Sequence, residues 1–237
     1  MSKNVRRGFV VKDEIEFGNR WVDTLEQASE ELCYLVNRNY PIKSASTFIG
    51  NHYLLSERQR LALVRMTSAS WQLQKRKEKE LSSNLLPSCL HIDGFNTIIT
   101  LEVALSRSLL IKGMDGTLRD LAGLRGTYGI ITQTEEAIKL ILQTLRKLHV
   151  KEAKIYLDQP VSNSGRLKVL IMELAKSYPT QITVSVLSEV DRVLEQLPGV
   201  VSSDAIILDK CMSWFNLNQH IIEQYIPKAW ICLLYTS

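Results

Sequence analysis

The sequence predicts an α/β protein: a parallel sheet with helices on both faces, three α/β/α layers in all, preceded by a small, mainly helical domain. Three observations predict it. Up to residue 80, apolar side chains recur at helical spacing. Residues 81–87 gather the breakers Ser82, Ser83, Asn84 and Pro87. Beyond them, short apolar runs alternate with amphipathic stretches, the pattern of repeated strand–helix units. The breakers divide the chain into a basic, mainly helical domain (1–86) and an α/β domain (87–232).

In the first domain, residues 23–37 read as a helix, with Leu25, Ala28, Leu32, Leu35 and Val36 on one face. Asn37-Arg38-Asn39-Tyr40-Pro41 stops it, because the residue before a proline avoids the helical region. Ser56 is the N-cap of a second helix, with Gln59 at the capping-box position. That helix runs through Leu61, Leu63, Val64 and Met66 toward Trp71, and residues 74–80 extend it as a charged stretch.

In the second domain, residues 89–92 form a strand and 97–110 a mostly apolar helix. Residues 134–148 form an amphipathic helix, capped by Thr134, with Ala137, Ile138, Ile141, Leu142 and Leu145 as its buried stripe. A strand over 153–157 ends at Asp158, and Pro179 blocks the helix over 165–178. Residues 182–187 are a β-branched strand, after which Ser188 caps a helix over 189–197. Val200-Val201 and residues 205–208 are further extended pieces. Sheets of this kind bind ligands outside the carboxyl ends of their strands.

Composition is that of a globular protein, with 45% hydrophobic and 23% charged residues. No apolar stretch approaches the ~18 residues of a membrane span, so no membrane partner is expected. Residues 1–7 are basic with no apolar signal core behind them, so export is not expected. Cys33, Cys89, Cys211 and Cys232 are isolated, which fits a reducing cytoplasm. The net charge is +4, and its excess lies in residues 1–87, with 14 basic against 10 acidic side chains. Residues 88–237 hold 15 of each. A basic module beside a neutral one suits a polyanionic partner.

Asp93, Asp158, Asp204 and Asp209 each stand at or beside the end of an apolar run. A parallel sheet delivers strand ends to one edge, and converged carboxylates repel unless a cation lies between them. The arrangement reads as a divalent-metal site. Hard oxygen ligands suit Mg²⁺ or Mn²⁺, which activate water and neutralise charge developing on a phosphodiester. Taken singly, each aspartate equally fits a strand end, cap or turn; Asp93 and Asp158 together, with small polar neighbours, favour function. Asn96, Ser162, Asn163 and Ser164 offer groups for a phosphate or a metal-bound water, or else serve turns and caps. Glu102, in an otherwise apolar helix, is either a fifth acid or simply exposed.

Asp115-Gly116-Thr117-Leu118 is similar to the nucleophile loop of haloacid dehalogenase-like phosphatases. Those require a second aspartate two residues earlier, where Gly113 stands, so the match is rejected. No Walker loop, GxGxxG, HExxH or GxSxG is present. The four histidines are scattered, without metal-ligand spacing. On the second helix, Arg58, Arg60 and Arg65 offer bidentate phosphate contacts, and Lys75, Arg76, Lys77 and Lys79 extend that basic surface or form a solvated face.

Residues 50–63, beginning Gly50-Asn51-His52-Tyr53 and including Ser56-Glu57-Arg58-Gln59-Arg60, resemble the signature of a prokaryotic domain of unknown function, number 434. Ile92-Asp93-Gly94-Phe95-Asn96, Arg119-Asp120-Leu121-Ala122-Gly123 and Ser203-Asp204 resemble the domain of unknown function, number 5616, that habitually follows it. That resemblance carries no activity with it. The second domain is also similar in pattern to the PIN/NYN group of metal-dependent nucleases, including the flap-endonuclease-like branch. Asp93 with Asn96, then Asp158, then Ser203-Asp204 carry the likeness, and residues 116–126 resemble the glycine-containing loop of flap endonucleases. It implies a PIN-like, Rossmannoid sheet and a Mg²⁺ or Mn²⁺ site of Asp93, Asp158 and Asp204, with Asp209 and Glu102 as further ligands. The acidic pair usual between the first and last aspartates has no clear counterpart; Glu173 and Glu189 are the candidates. Leu233-Leu234-Tyr235-Thr236-Ser237 resembles translated sequencing-adaptor read-through, a non-native tail (233–237) of no functional weight.

The expected function is metal-dependent hydrolysis of RNA in the cytoplasm, with Asp93, Asp158 and Asp204 as catalytic acids and Arg58, Arg60 and Arg65 gripping the backbone. Two readings stand beside it. A non-catalytic RNA- or ribosome-associated protein would bind without turnover, and a phosphotransfer enzyme would close its pocket around a small substrate.

Overall fold

The computed structural model describes residues 5–123 and 126–235. Residues 1–4 of the basic N-terminus, Leu124 and Arg125 of the glycine-containing loop, and Thr236 and Ser237 of the tail lie outside the described residues. The helical region comprises α1 (Asp13–Glu16), α2 (Asn19–Asn37), α3 (Ile42–His52), α4 (Glu57–Met66) and α5 (Ser70–Lys79). The capping box at α4 forms in full: the Ser56 hydroxyl accepts from Gln59 N, and the Gln59 side chain accepts from Ser56 N at 2.9 Å. The same hydroxyl donates to Glu16 at 2.6 Å. Ser56→Ala is expected to cost about 1–2 kcal/mol, read as a lower denaturant midpoint at unchanged slope.

The helix that the spacing carries toward Trp71 breaks instead at Thr67. Its last carbonyls are taken by the second half of the chain, because Met114 N donates to Met66 O at 2.9 Å and Arg119 Nη1 donates to Arg65 O at 2.8 Å. With those acceptors occupied, α5 starts afresh at Ser70.

The second part runs β1 (Cys89–Asp93), α6 (Gly94–Leu105), β2 (Leu109–Lys112), β3 (Leu118–Asp120), α7 (Thr132–Lys147), β4 (Glu152–Asp158) and α8 (Ser164–Ala175). It continues through β5 (Gln181–Leu187), α9 (Val190–Leu194), β6 (Val200–Val201), α10 (Ala205–Lys210), α11 (Leu217–Tyr225) and β7 (Trp230–Cys232). The main sheet is parallel throughout, in the order β5-β4-β1-β6. One face, with Leu90, Ile92, Ala153, Ile155, Leu157 and Val184, is buried against α6, α7 and α8. On the other face, Tyr156 and Val200 share a core with Val190 and Leu194 of α9 and Ile207 and Leu208 of α10. The sheet thus lies between helices, as the strand–helix alternation predicts.

Two expected elements differ. Residues 109–112 are strand β2, because Arg107 takes a left-handed φ of 51° and ends α6 early. A four-residue buried strand has no periodicity to separate it from a helix end. Residues 205–208 belong to helix α10, because Asp204 caps it: its Oδ1 accepts from Ile206 N and Ile207 N. Strand β2 lies between β3 and β7 in a second sheet. Leu109, Ile111, Cys232 and Leu234 of that layer share one core with Leu25, Leu32, Ile49, Leu63 and Met66 of the helical region. The core is therefore continuous across residue 86. Within the tail segment, Leu234 is buried and Tyr235 donates to Gly113 O at 2.7 Å. No helix among the described residues is long and apolar enough to cross a membrane.

Candidate functional site

The strand order sets the site. β4, β1 and β6 are neighbours; Asp158 and Asp93 end β4 and β1, and Asp204 follows β6 by three residues, so the three stand at one carboxyl edge in that order. Asp93 is buried and caps α6, its Oδ1 accepting from Asn96 N at 3.3 Å and its Oδ2 from the Ser202 hydroxyl at 2.8 Å. Gly94 makes this turn sterically feasible: a Cβ there would stand 2.6 Å from Leu157 Cδ2 and 2.8 Å from Tyr156 O. Only a residue without a side chain lets α6 leave β1 so close to β4.

The acids feel one another. Burial pushes Asp93 up to about 7; the Ser202 hydrogen bond offsets part of this, and the charges of Asp158 and Asp191 add to it. Asp158 is also raised, by burial and then by Asp191. Asp191 is raised by burial, then by Asp204 and Glu195. Burial is thus the leading cause at Asp93, Asp158 and Asp191, and the charge of a neighbouring acid adds to it at each. Among the described residues, no three His, Cys, Asp or Glu side chains converge as a ready chelating cage. A divalent ion at this edge would have to keep most of its waters and take one or two carboxylates directly.

Asp191 is the acid that sequence reading missed. It lies in the first turn of α9, directly after β5, where the likeness to nucleases leaves an acidic position open. Neighbouring Glu189 drew the attention instead, but it is exposed and pairs with Arg192 at 2.8 Å. The signal was Ser188-Glu189-Val190-Asp191 itself: with Val190 buried, Asp191 belongs to the helix turn that closes over the strand end. Glu173, the other candidate, pairs with Lys176 on α8.

Several expected site residues are placed elsewhere. Glu102 is not a metal ligand in this arrangement. It is fully buried in α6, where it accepts from Arg7 Nε at 2.7 Å, from Tyr128 OH at 2.6 Å and from the Thr134 hydroxyl. Asp209 lies on α10, turned toward the helical region, and accepts from Arg76 and Gln72, both at 2.7 Å. Arg58 is not a backbone clamp; it forms a bidentate pair with buried Asp13 and donates to Leu121 O. Arg60 lies across Gly50 and donates to Leu55 O, Gly50 O and Asn51. A Cβ at Gly50 would stand 2.7 Å from that guanidinium, which explains the glycine in the 50–63 motif. Arg65 donates to Asp120 O and stays a third exposed. The Ser162 hydroxyl is committed to the backbone of Tyr128, and Ser164 opens α8. Asn96 does stay beside the row: its Oδ1 accepts from Ser203 N at 2.8 Å, leaving its amide NH₂ turned the other way. Asp115, in the rejected phosphatase-like loop, has both oxygens occupied, by Thr117, Arg76 and Arg119.

Fold and site together define an α/β protein with strand-end acids at the open edge of a parallel sheet. Residues 82–220 match the family described as "Domain of unknown function (DUF5616)", and the chain belongs to that family. Residues 24–79 match "Protein of unknown function (DUF434)" ahead of it. The chain is similar to "Uncharacterized protein MJ0935" of Methanocaldococcus jannaschii, with 34% identity over 187 residues, 78% of this chain and 89% of that protein. No solved structure matches it.

Proposed function

We propose that this protein is a metal-dependent hydrolase of RNA phosphodiesters, acting in the cytoplasm. The observation that carries the reading is the placing of Asp158, Asp93 and Asp204 at the carboxyl edge of the sheet, where such sheets bind ligands, with Asp191 close enough that its charge adds to the burial that raises Asp93 and Asp158. Asp93 and Asp158 would hold Mg²⁺ or Mn²⁺, with Asp191 and Asp204 orienting its waters. When bound, the ion supplies charge neutralisation and a water of lowered pKa. Asn96 presents its amide to a phosphate oxygen, and Ser202 fixes the Asp93 carboxylate. The RNA backbone meets Arg65 and the exposed Lys75 and Lys77 of α5, since Arg58 and Arg60 are committed internally.

Asp158→Asn and Asp191→Asn are each expected to cut Mn²⁺-dependent cleavage of a single-stranded RNA at least about a hundredfold, as the loss of several kcal/mol of charge stabilisation requires. Cleavage at the wild-type rate in both variants would remove the assignment. That no three such ligands converge among the described residues favours one second reading, an RNA-binding protein without turnover. It predicts salt-sensitive RNA binding that survives both substitutions, with no cleavage in any metal.

A further inference from the structure

A cleft of about 550 Å³ opens between the helical region and the α/β layer, and it shares Asn96 and Asp204 with the acidic row. Its size falls in the ~300–1,000 Å³ range of small-molecule sites. One wall is apolar, with Val36, Ile42 and Val64 from α2, α3 and α4. The facing wall is polar. Thr67, one turn past Val64 at the end of α4, also lines the cleft; it is only 5% exposed and its hydroxyl has no hydrogen-bond partner. Buried hydroxyls are rarely left unpaired, because the desolvation is then uncompensated. Asn96 adds the amide NH₂ that Ser203 leaves unused, and Arg65 stands at the lining with a third of its side chain exposed.

We propose that this cleft is a nucleoside pocket, taking the unpaired base next to the scissile phosphate; the inference rests on the nuclease reading above. A flat heteroaromatic ring needs an apolar wall for its face and donors for its edge carbonyls and ring nitrogens, and the cleft supplies both. With the base seated against Val64, its sugar-phosphate leads out past Arg65 and Asn96 toward Asp204 and the acidic row. A base inside a duplex cannot enter, so the substrate is single-stranded or has a base turned out.

The test is calorimetric titration of the full chain with AMP, GMP, CMP and UMP in excess EDTA, with ribose 5-phosphate and inorganic phosphate as controls. At least one nucleotide is expected to saturate, at least tenfold tighter than ribose 5-phosphate. Thr67→Val should weaken that binding about three- to tenfold, the worth of one neutral hydrogen bond, without lowering the melting temperature. Val64→Trp should fill the cleft and abolish binding; should it unfold, Thr67→Val alone decides. No saturation by any nucleotide, equal binding of ribose 5-phosphate, or wild-type affinity in Thr67→Val overturns the pocket. The two proposals fail separately: binding in EDTA without cleavage in Mn²⁺ sinks the nuclease reading, and cleavage without mononucleotide binding sinks only the pocket.

Discussion

Asp93→Asn is expected to stabilise the metal-free protein at pH 8 while abolishing Mn²⁺-dependent cleavage. The buried carboxyl of Asp93 has its pKa raised from 3.8 to about 7. Between those two values the unfolded chain has released the proton that the folded chain still holds. Folded stability therefore falls as pH rises from about 4 to about 7, and stays low above that. The ceiling on this loss is about 4 kcal/mol, from a shift of about three units at ~1.4 kcal/mol each. Asparagine keeps the size of the side chain and can still accept from Ser202, but it carries no charge to desolvate. The variant should melt higher than wild type at pH 8, converge with it near pH 4, and show a flatter pH profile. A saturating divalent ion should restore the wild type at pH 8 by about 3 kcal/mol at a hundredfold excess over Kd, and leave the variant unmoved. Parallel pH profiles for the two proteins would show that Asp93 titrates normally and would take the acidic row out of the argument.

How much of this was legible follows from what each segment depends on. β1, β4 and β5 are read correctly because their partners bury them and their side chains say so: Ile92, Ile155 and Val184 are apolar for one reason. The parallel order then places Asp93 and Asp158 on neighbouring strands with no further information needed. Asp191 is invisible for a different reason. It is a half-turn past β5 on a five-residue helix too short to show a period, beside a more conspicuous glutamate. Glu102, Arg58 and Arg60 are misread because sequence reports charge and not partners. Arg7 lies 95 residues from Glu102, and Asp13 lies 45 from Arg58. An ion pair closed over that separation looks, along the chain, like two available charges. Arg65 stays a candidate on exposure alone: a third of its side chain is open to solvent, although its Nη1 donates to Asp120 O.

Asp115→Asn is expected to cost about 3–5 kcal/mol of stability. Asp115 Oδ2 accepts from Arg76 at 2.6 Å and Arg119 at 2.5 Å, and all three side chains are almost wholly buried. Burial pushes the Asp115 carboxyl up, but Arg119 and Arg76 together outweigh it and hold it below the usual range. Its contribution therefore has the opposite pH sign to that of Asp93, present above about pH 4 and lost as pH falls. Removing the carboxylate leaves two buried guanidiniums, of which only Arg76 keeps an acid, Asp209. The loss is not local. Arg76 belongs to α5, Asp115 to the β2–β3 turn and Asp209 to α10, while Arg119 also donates to Ser203 O beside Asp204 and to Arg65 O at the end of α4. One carboxylate thus ties the helical region to the sheet edge that carries the acids. Loosening it should lower the denaturation midpoint of the whole chain in one transition, because the core is shared across residue 86. A double-mutant cycle of Asp115→Asn with Arg119→Met should show a coupling energy above about 1 kcal/mol, since with the carboxylate gone the second charge is only a burden. Two separate transitions, or additive costs, would show instead that the halves fold independently and that the network only decorates their contact.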